Sequence, residues 1–390
     1  MKKVLIVGGT FDKDEGRQSK IILLINKEFV KYKDFSVVCH NGGNVEFLHN
    51  DILPSVAHYD VVLWFANVSN DEDKLRDVKA INPKCILVTS KRNDDNKYTF
   101  AELISRSLAI KANLTVEFSK DPNGMFNMLL FDPLGNVFYD GFEVNLMCDY
   151  MITRISQLLR FTRVPTVLET ERNLPIVPEE TEFFNFAHSC ADIFHNLIRP
   201  AKGTERFLGN MSFRCQNGFP SFRGKDGIIY VSRRNVNKAD IQANSFVPTF
   251  LTEDNTTKYF GDYKPSVDTP VQLRLYKLFP WANYMIHAHC YVELEQLQEE
   301  LGAIQLHTLK PVPCGAIEEV DEIIKALPVD LDDFNETPPS LLAINLAGHG
   351  CLLIAQNITA LTALYNYKDN CFVSRPIPEY VRIVTQQQFK

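Results

Sequence analysis

Apolar and polar positions alternate between two periods over the first 163 residues. Val4 to Val7 is a short apolar run and reads as a strand, whereas Gln18 to Val30 carries its apolar residues at helical spacing. Ser36 to Cys39 and Val61 to Ala66 read as strands, Asp71 to Ile81 as a helix, and Cys85 to Thr89 as another strand. Thr99-Phe-Ala-Glu102 has the spacing of a capping box, in which threonine and glutamate satisfy each other's backbone N–H groups, and it predicts a helix to about Ala112. Strand, helix and strand in repetition predict a doubly wound parallel sheet with helices on both faces. Phe126 to Tyr139 folds back around Asp132-Pro-Leu-Gly135 as an appended hairpin, and an amphipathic helix from Val144 to Leu159 closes this α/β domain.

The pattern then lapses. Residues 164 to 181 are rich in proline and charge without periodicity and read as an extended linker. A helix from Glu182 to Leu197 opens a second domain, giving domains at 1–163 and 182–390. Of the 390 residues, 45% are hydrophobic, enough to build two cores, and 23% are charged, too few for a disordered chain. A net charge of −7 with no basic stripe argues against nucleic acid and for a small metabolite as partner. Met1-Lys-Lys followed by a run of about five apolar residues is too short for a signal peptide and reads as the first strand. No stretch approaches the length of a membrane span. Nine cysteines without a Cys-x-x-Cys pair suit a reducing cytoplasm, most of them as small buried hydrophobes.

Two places carry candidate chemistry. The loop Gly8 to Lys20 joins the first strand to the first helix, at the carboxyl edge where doubly wound sheets bind ligands. Gly8, Gly9, Thr10 and Ser19 are its candidate contacts, although the loop has neither a Gly-x-Gly-x-x-Gly nor a Walker pattern. The alternative is an assembly module whose glycines only make the turn. In the second half, Tyr284-Met-Ile-His-Ala-His-Cys-Tyr291 has the composition of a strand, and alternation then sets His287 and His289 on one face. Asp268, at the expected start of a helix, and His349, between two glycines after the apolar run Leu341 to Ala347, would complete a three-histidine, one-carboxylate set. Such ligands suit Zn²⁺, or Mn²⁺, Co²⁺ or Fe²⁺, better than Mg²⁺, which prefers oxygen.

Gly209-Asn-Met-Ser-Phe-Arg214, Pro265-Ser-Val-Asp-Thr-Pro270, His287-Ala-His289 and Gly348-His-Gly350, in that order, resemble the class II aldolase/adducin family over residues 182–390. The resemblance implies an α/β/α domain with a mostly antiparallel central sheet, a homo-oligomer, typically a tetramer, and zinc held by His287, His289 and His349. It implies a lyase that cleaves a carbon–carbon bond of a small, phosphorylated hydroxy-keto compound through a metal-stabilised enediolate. Dehydration and decarboxylation can pass through a similar species. A sugar-phosphate 4-epimerase is the alternative, since the Asp268 motif looks closest to that branch, and a non-catalytic adducin-like protein is another. By resemblance Gly209, Asn210, Ser212, Ser232, Arg233 and Ser266 fall in the substrate anion pocket, with Arg233 where glycine is usual. Gln272 replaces a frequent histidine, Asp268 is the candidate acid/base, and His307, near Pro313-Cys314, is a second.

Overall fold

The computed structural model describes residues 1–68, 72–94, 97–120, 124, 126–170, 177, 180–191, 193, 207–214, 227–294 and 297–373. They divide into two compact units between Arg160 and Phe161. No helix among the described residues is long and apolar enough to cross a membrane.

The first unit holds strands β1 (Lys2–Asp12), β2 (Phe35–Asn44), β3 (Val61–Asn67), β4 (Ile86–Arg92), β5 (Leu114–Lys120), β6 (Phe126–Phe131) and β7 (Val137–Gly141). They form one sheet in the order β2-β1-β3-β4-β5-β6-β7, parallel as far as β5 and antiparallel beyond it. Both faces are covered, which is why its central strands read as continuous apolar runs. Val4 and Ile6 pack with the helices Lys20–Val30 and Val144–Arg160, while Leu5 and Val7 pack with Leu48, Ile52, Leu75 and Val78 on the other side. The Thr99–Glu102 capping box forms and opens the helix Phe100–Ala109. Strand β5 has no counterpart in the sequence reading. Its apolar run is broken by Glu117, which is buried and accepts a hydrogen bond from the Asn93 side chain at 2.6 Å.

The second unit holds β8 (Thr166–Leu168), β9 (Asn210–Arg214), β10 (Ile229–Ser232), β11 (Phe246–Leu251), β12 (Thr257–Tyr259), β13 (Tyr284–Ala288), β14 (Tyr291–Val292), β15 (Ala303–His307), β16 (Leu341–Leu346), β17 (Gly350–Ala355) and β18 (Phe372–Val373). Nine of them make a sheet in the order β15-β16-β17-β13-β9-β10-β11-β12-β8. Only β15/β16 and β12/β8 pair in parallel, so the expected mostly antiparallel sheet is found. Strand β8 lies inside the stretch read as a linker; three β-compatible residues there gain a partner strand that periodicity over so short a run does not reveal. The second-domain helix is Thr181–Ser189, and of the rest of its expected length residues 192 and 194–197 lie outside the described residues.

Alternation splits this sheet's core in two. Ile286, Leu353 and Phe213 face the helices Thr181–Ser189 and Ile358–Asn366, whereas Met285, Leu352 and Ile354 face the helices Thr269–Leu278 and Glu318–Lys325. His287 shares the parity of Met285, so it turns towards the face on which Asp268 and Glu319 begin their helices.

Candidate metal centre

Three imidazoles converge at the end of β13. The ring centroids of His287 and His289 are 5.0 Å apart, those of His287 and His349 4.5 Å, and those of His289 and His349 5.3 Å. One ring nitrogen from each lies within 4.8 Å of the others, a group that could hold a metal ion. His349 reaches the pair because the turn after β16 is flanked by glycines. A Cβ at Gly350 would stand 2.1 Å from the Ala288 carbonyl oxygen and 2.7 Å from the His289 Cα, so only glycine lets β17 start this close to β13. Gly350→Ala is expected to destabilise the protein by about 1–3 kcal/mol through overpacking and to spread the histidines. Thermal unfolding and metal content check it; a variant unchanged in both would show that the strand spacing adapts freely.

Two of the three rings, His287 and His349, are oriented by a second contact. The Nδ1–H of His287 donates to the Cys351 carbonyl at 3.0 Å, which leaves Nε2 as a lone-pair nitrogen. His287 is only 3% exposed, and no described residue hydrogen-bonds to that Nε2. Burial first, and the neighbouring His349 second, push the His287 pKa down to about 4, so the ring is a neutral donor. His349, 1% exposed, is held through Nδ1 by the Glu319 carboxylate at 3.1 Å, and its Nε2 meets the Cys314 sulfur at 3.1 Å. Burial works against a charge on His349, but Cys314 and Glu319 together raise its pKa well above the ordinary imidazole value. Burial pushes the Glu319 carboxyl up, partly offset by His349.

Asp268 stands beside this cluster and is not one of its three members. It occupies the cap position of the helix Thr269–Leu278, yet its side chain makes no capping bond. Its Oδ2 accepts from the Asn210 amide at 2.7 Å and from the Ser266 hydroxyl at 3.4 Å. Its Oδ1 is buried and has no partner among the described residues. The Gln272 amide donates to Asn210 Oδ1, so Asn210, opposite His287 in the β9/β13 register, links both residues.

The remaining sequence candidates separate. Gly209 turns into β9 with φ +75°, while Ser212 is fully buried against the Tyr276 hydroxyl, because alternation puts it under the helix Thr269–Leu278. Ser232 is 1% exposed and accepts the Met211 N–H, a strand-pairing role. The Asn210 side chain, expected in an anion nest, is engaged by Asp268 and Gln272 instead. Arg233 stacks over Tyr263 with 4.3 Å from guanidinium carbon to ring centroid. It lines a crevice of about 550 Å³ with Arg234 and Lys264, and none of the three histidines is in that lining. His307 is exposed on the edge strand β15, where its ring nitrogen lies 3.4 Å from the Gln305 amide, and no described contact joins it to the cluster.

Sequence reasoning missed Glu319, Cys314 and Lys238. Lys238 looks like part of a solvated Asn-Lys-Ala-Asp turn, but it is 1% exposed and donates to the carbonyls of Leu208 and Gly209 at 2.9 and 2.7 Å. Burial lowers its pKa to about 7.

In the first unit, Gly9, Thr10 and Ser19 line a crevice of about 860 Å³ at the carboxyl edge of β1, β3 and β4. Gly8 instead faces Ile22, and Gly9 has φ +77° with no room for a Cβ beside the Arg17 carbonyl, so both glycines also serve packing. The sequence reading missed the crevice's cations, Arg17, Lys91, Arg92, Lys97 and Arg106, which outnumber its one carboxylate, Asp94.

Residues 190–371 match the family model described as Class II Aldolase and Adducin N-terminal domain. No curated protein matches the sequence. Among solved structures, the chain is similar to a DNA/pantothenate metabolism flavoprotein from Streptococcus pneumoniae at 12% identity and TM-score 0.33, covering 40% of this chain and 99% of that one. It is similar to an aldolase II superfamily protein from Pseudomonas syringae at 12% identity and TM-score 0.28, covering 53% and 86%. The N-terminal class II aldolase domain of a conserved protein from Thermoplasma acidophilum aligns at 14% identity and TM-score 0.29, covering 57% and 95%.

Proposed function

We propose that the class II aldolase/adducin domain of this chain, residues 190–371, is a metal-dependent lyase cleaving a carbon–carbon bond in a small, phosphorylated hydroxy-keto compound. The observation that carries this reading is the convergence of three imidazoles around the buried, unpartnered Nε2 of His287. His287, His289 and His349 are a nitrogen donor set that fits Zn²⁺, with Mn²⁺, Co²⁺ and Fe²⁺ as the other candidates. When bound, such an ion supplies Lewis acidity that polarises a carbonyl.

The chain's own groups do the rest. The Cys351 carbonyl and the Glu319 carboxylate fix the tautomers of His287 and His349. Asp268 Oδ1 is the proton carrier, held ready by the bonds that Asn210 and Ser266 make to the other oxygen. Arg233, next to the Pro265 to Asp268 turn through its bridge to Pro265, is the phosphate contact, with Arg234 and Lys264 adding charge.

The test is metal analysis of the purified chain, followed by incubation with a panel of ketose phosphates read by NMR. One transition metal per chain and paired fragment products are expected. Recovery of only isomerised ketose would reject the lyase in favour of an epimerase, and a chain that neither contains nor takes up metal would remove the basis of both.

For the first unit, we propose that the cation-lined crevice binds a small anionic ligand, carrying at least two negative charges, at Thr10, Ser19 and Arg17. Titration with inorganic pyrophosphate is expected to raise the melting temperature of the chain, and Arg17→Ala to remove that shift. An equal shift in the variant would place the anion elsewhere.

A further inference from the structure

We infer that Cys314 is a fourth protein ligand of the metal, so that the resting centre is three imidazoles and one thiolate. This rests on the proposal that His287, His289 and His349 hold a transition metal. Glu319 occupies His349 Nδ1, so Nε2 is the only ring nitrogen left for an ion, and the Cys314 sulfur is placed 3.1 Å from that atom. An imidazole nitrogen at about 2.0 Å and a thiolate at about 2.3 Å on one tetrahedral ion stand roughly 3.5 Å apart. The observed 3.1 Å is a hydrogen bond between the two groups, somewhat shorter than that spacing, so only a small shift of the sulfur separates it from the position of a second ligand on the same ion. Independently, the buried Nε2 of His287 lacks a partner in the same cluster.

The backbone holds the thiol there. Cys314 follows Pro311-Val-Pro313, and Gly315 turns with φ +73° so close to Val267 that a Cβ would meet its carbonyl oxygen at 2.6 Å. The turn bearing the thiol is thus packed on the turn that carries Asp268. Cys314 stands beside the histidine trio and not within it, so ligation draws the sulfur a short way towards the other two rings. The S–H bond breaks, its proton leaves to solvent from this half-buried position, and a sulfur lone pair forms the metal bond without any change of oxidation state. A soft fourth donor favours zinc or cobalt over oxygen-seeking ions.

The experiment uses the full chain, stripped of metal and reloaded with Co²⁺. A sulfur-to-cobalt charge-transfer band in the near ultraviolet is expected, and Cys314→Ser should lose it while still taking up cobalt, with a Kd at least about 10-fold weaker. Stoichiometric cobalt without that band overturns the inference and leaves the three-histidine reading standing. A band that persists in C314S assigns the sulfur to Cys290 or Cys351 and also overturns it. Failure to take up cobalt removes the metal reading and this inference together. Wild-type protein gives a second readout that needs no variant: cobalt should slow alkylation of Cys314, followed by peptide mass spectrometry, by roughly 10-fold or more. Equal rates with and without cobalt would rule the thiolate out.

Discussion

His289→Ala is expected to strip the metal from the purified protein and lower turnover by at least about 1000-fold while leaving the fold intact. A Lewis-acid contribution of several kcal/mol is at stake, and about 4 kcal/mol corresponds to a factor of about 1000. Of the three histidines, this one separates function from stability best. It is half-buried at the end of β13, whereas His287 and His349 are inside the core and tied to Cys351 and Glu319. Removing His349 would leave the buried Glu319 carboxylate without its hydrogen-bond donor, a loss of stability that could be mistaken for a loss of ligation. Strand β13 is paired on both sides, with β9 and β17, so truncating a side chain at its end does not release the strand. The check is metal content and turnover, alongside thermal unfolding of the metal-free proteins, which should nearly coincide. Stoichiometric metal in the variant would show that His289 is not a ligand.

What the sequence revealed about this centre follows from periodicity. His287 and His289 are two apart in a segment whose composition predicts a strand, and the glycines around His349 mark a tight turn. Strand β13 carries His287 but stops at Ala288, so His289 joins the cluster from the bend that follows and not by strand alternation. The doubly wound sheet was legible because its central strands β1, β3 and β4 carry continuous apolar runs, whereas β5, broken by Glu117, was not. Glu319 and Cys314 carry no such signal. Each lies more than twenty residues from all three histidines along the chain and arrives through tertiary packing of the helix Glu318–Lys325 and the turn before it. Glu319 looks like one of several acids in an exposed first turn. Only the helix's docking on the His287 face of the sheet buries it. Ser212 and Ser232 illustrate the reverse error. Hydroxyls beside a Gly-Asn motif suggest an anion site, yet strand alternation turns one under a helix and commits the other to a neighbouring N–H. Asn210 changed meaning in a more useful way, since the amide expected to meet substrate is the group that orients Asp268.

Glu319→Ala is expected to weaken metal binding by about 10–100-fold, the usual cost of removing the partner that orients a ligating imidazole. The side-chain hydrogen bond of Glu319 goes to His349, so its effect on the metal is exerted through that ring. The carboxylate accepts from Nδ1–H at 3.1 Å, fixing the tautomer that leaves Nε2 for the ion and raising that nitrogen's basicity. Alanine leaves the Nδ1–H buried without an acceptor, which frees the ring to rotate or to exchange tautomers. Glutamine keeps an acceptor oxygen at the same distance and loses only the charge. Glu319→Gln should therefore retain most of the geometry and fall between the wild type and the alanine variant in affinity. This ordering separates orientation from mere space-filling. A structural role predicts two variants distinguished by melting temperature, whereas an orienting role predicts two variants distinguished by the Kd for zinc in a competitive chelator titration. If alanine binds zinc as tightly as the wild type, the carboxylate is a buried bystander and His349 is held by the Gly348 to Gly350 turn alone.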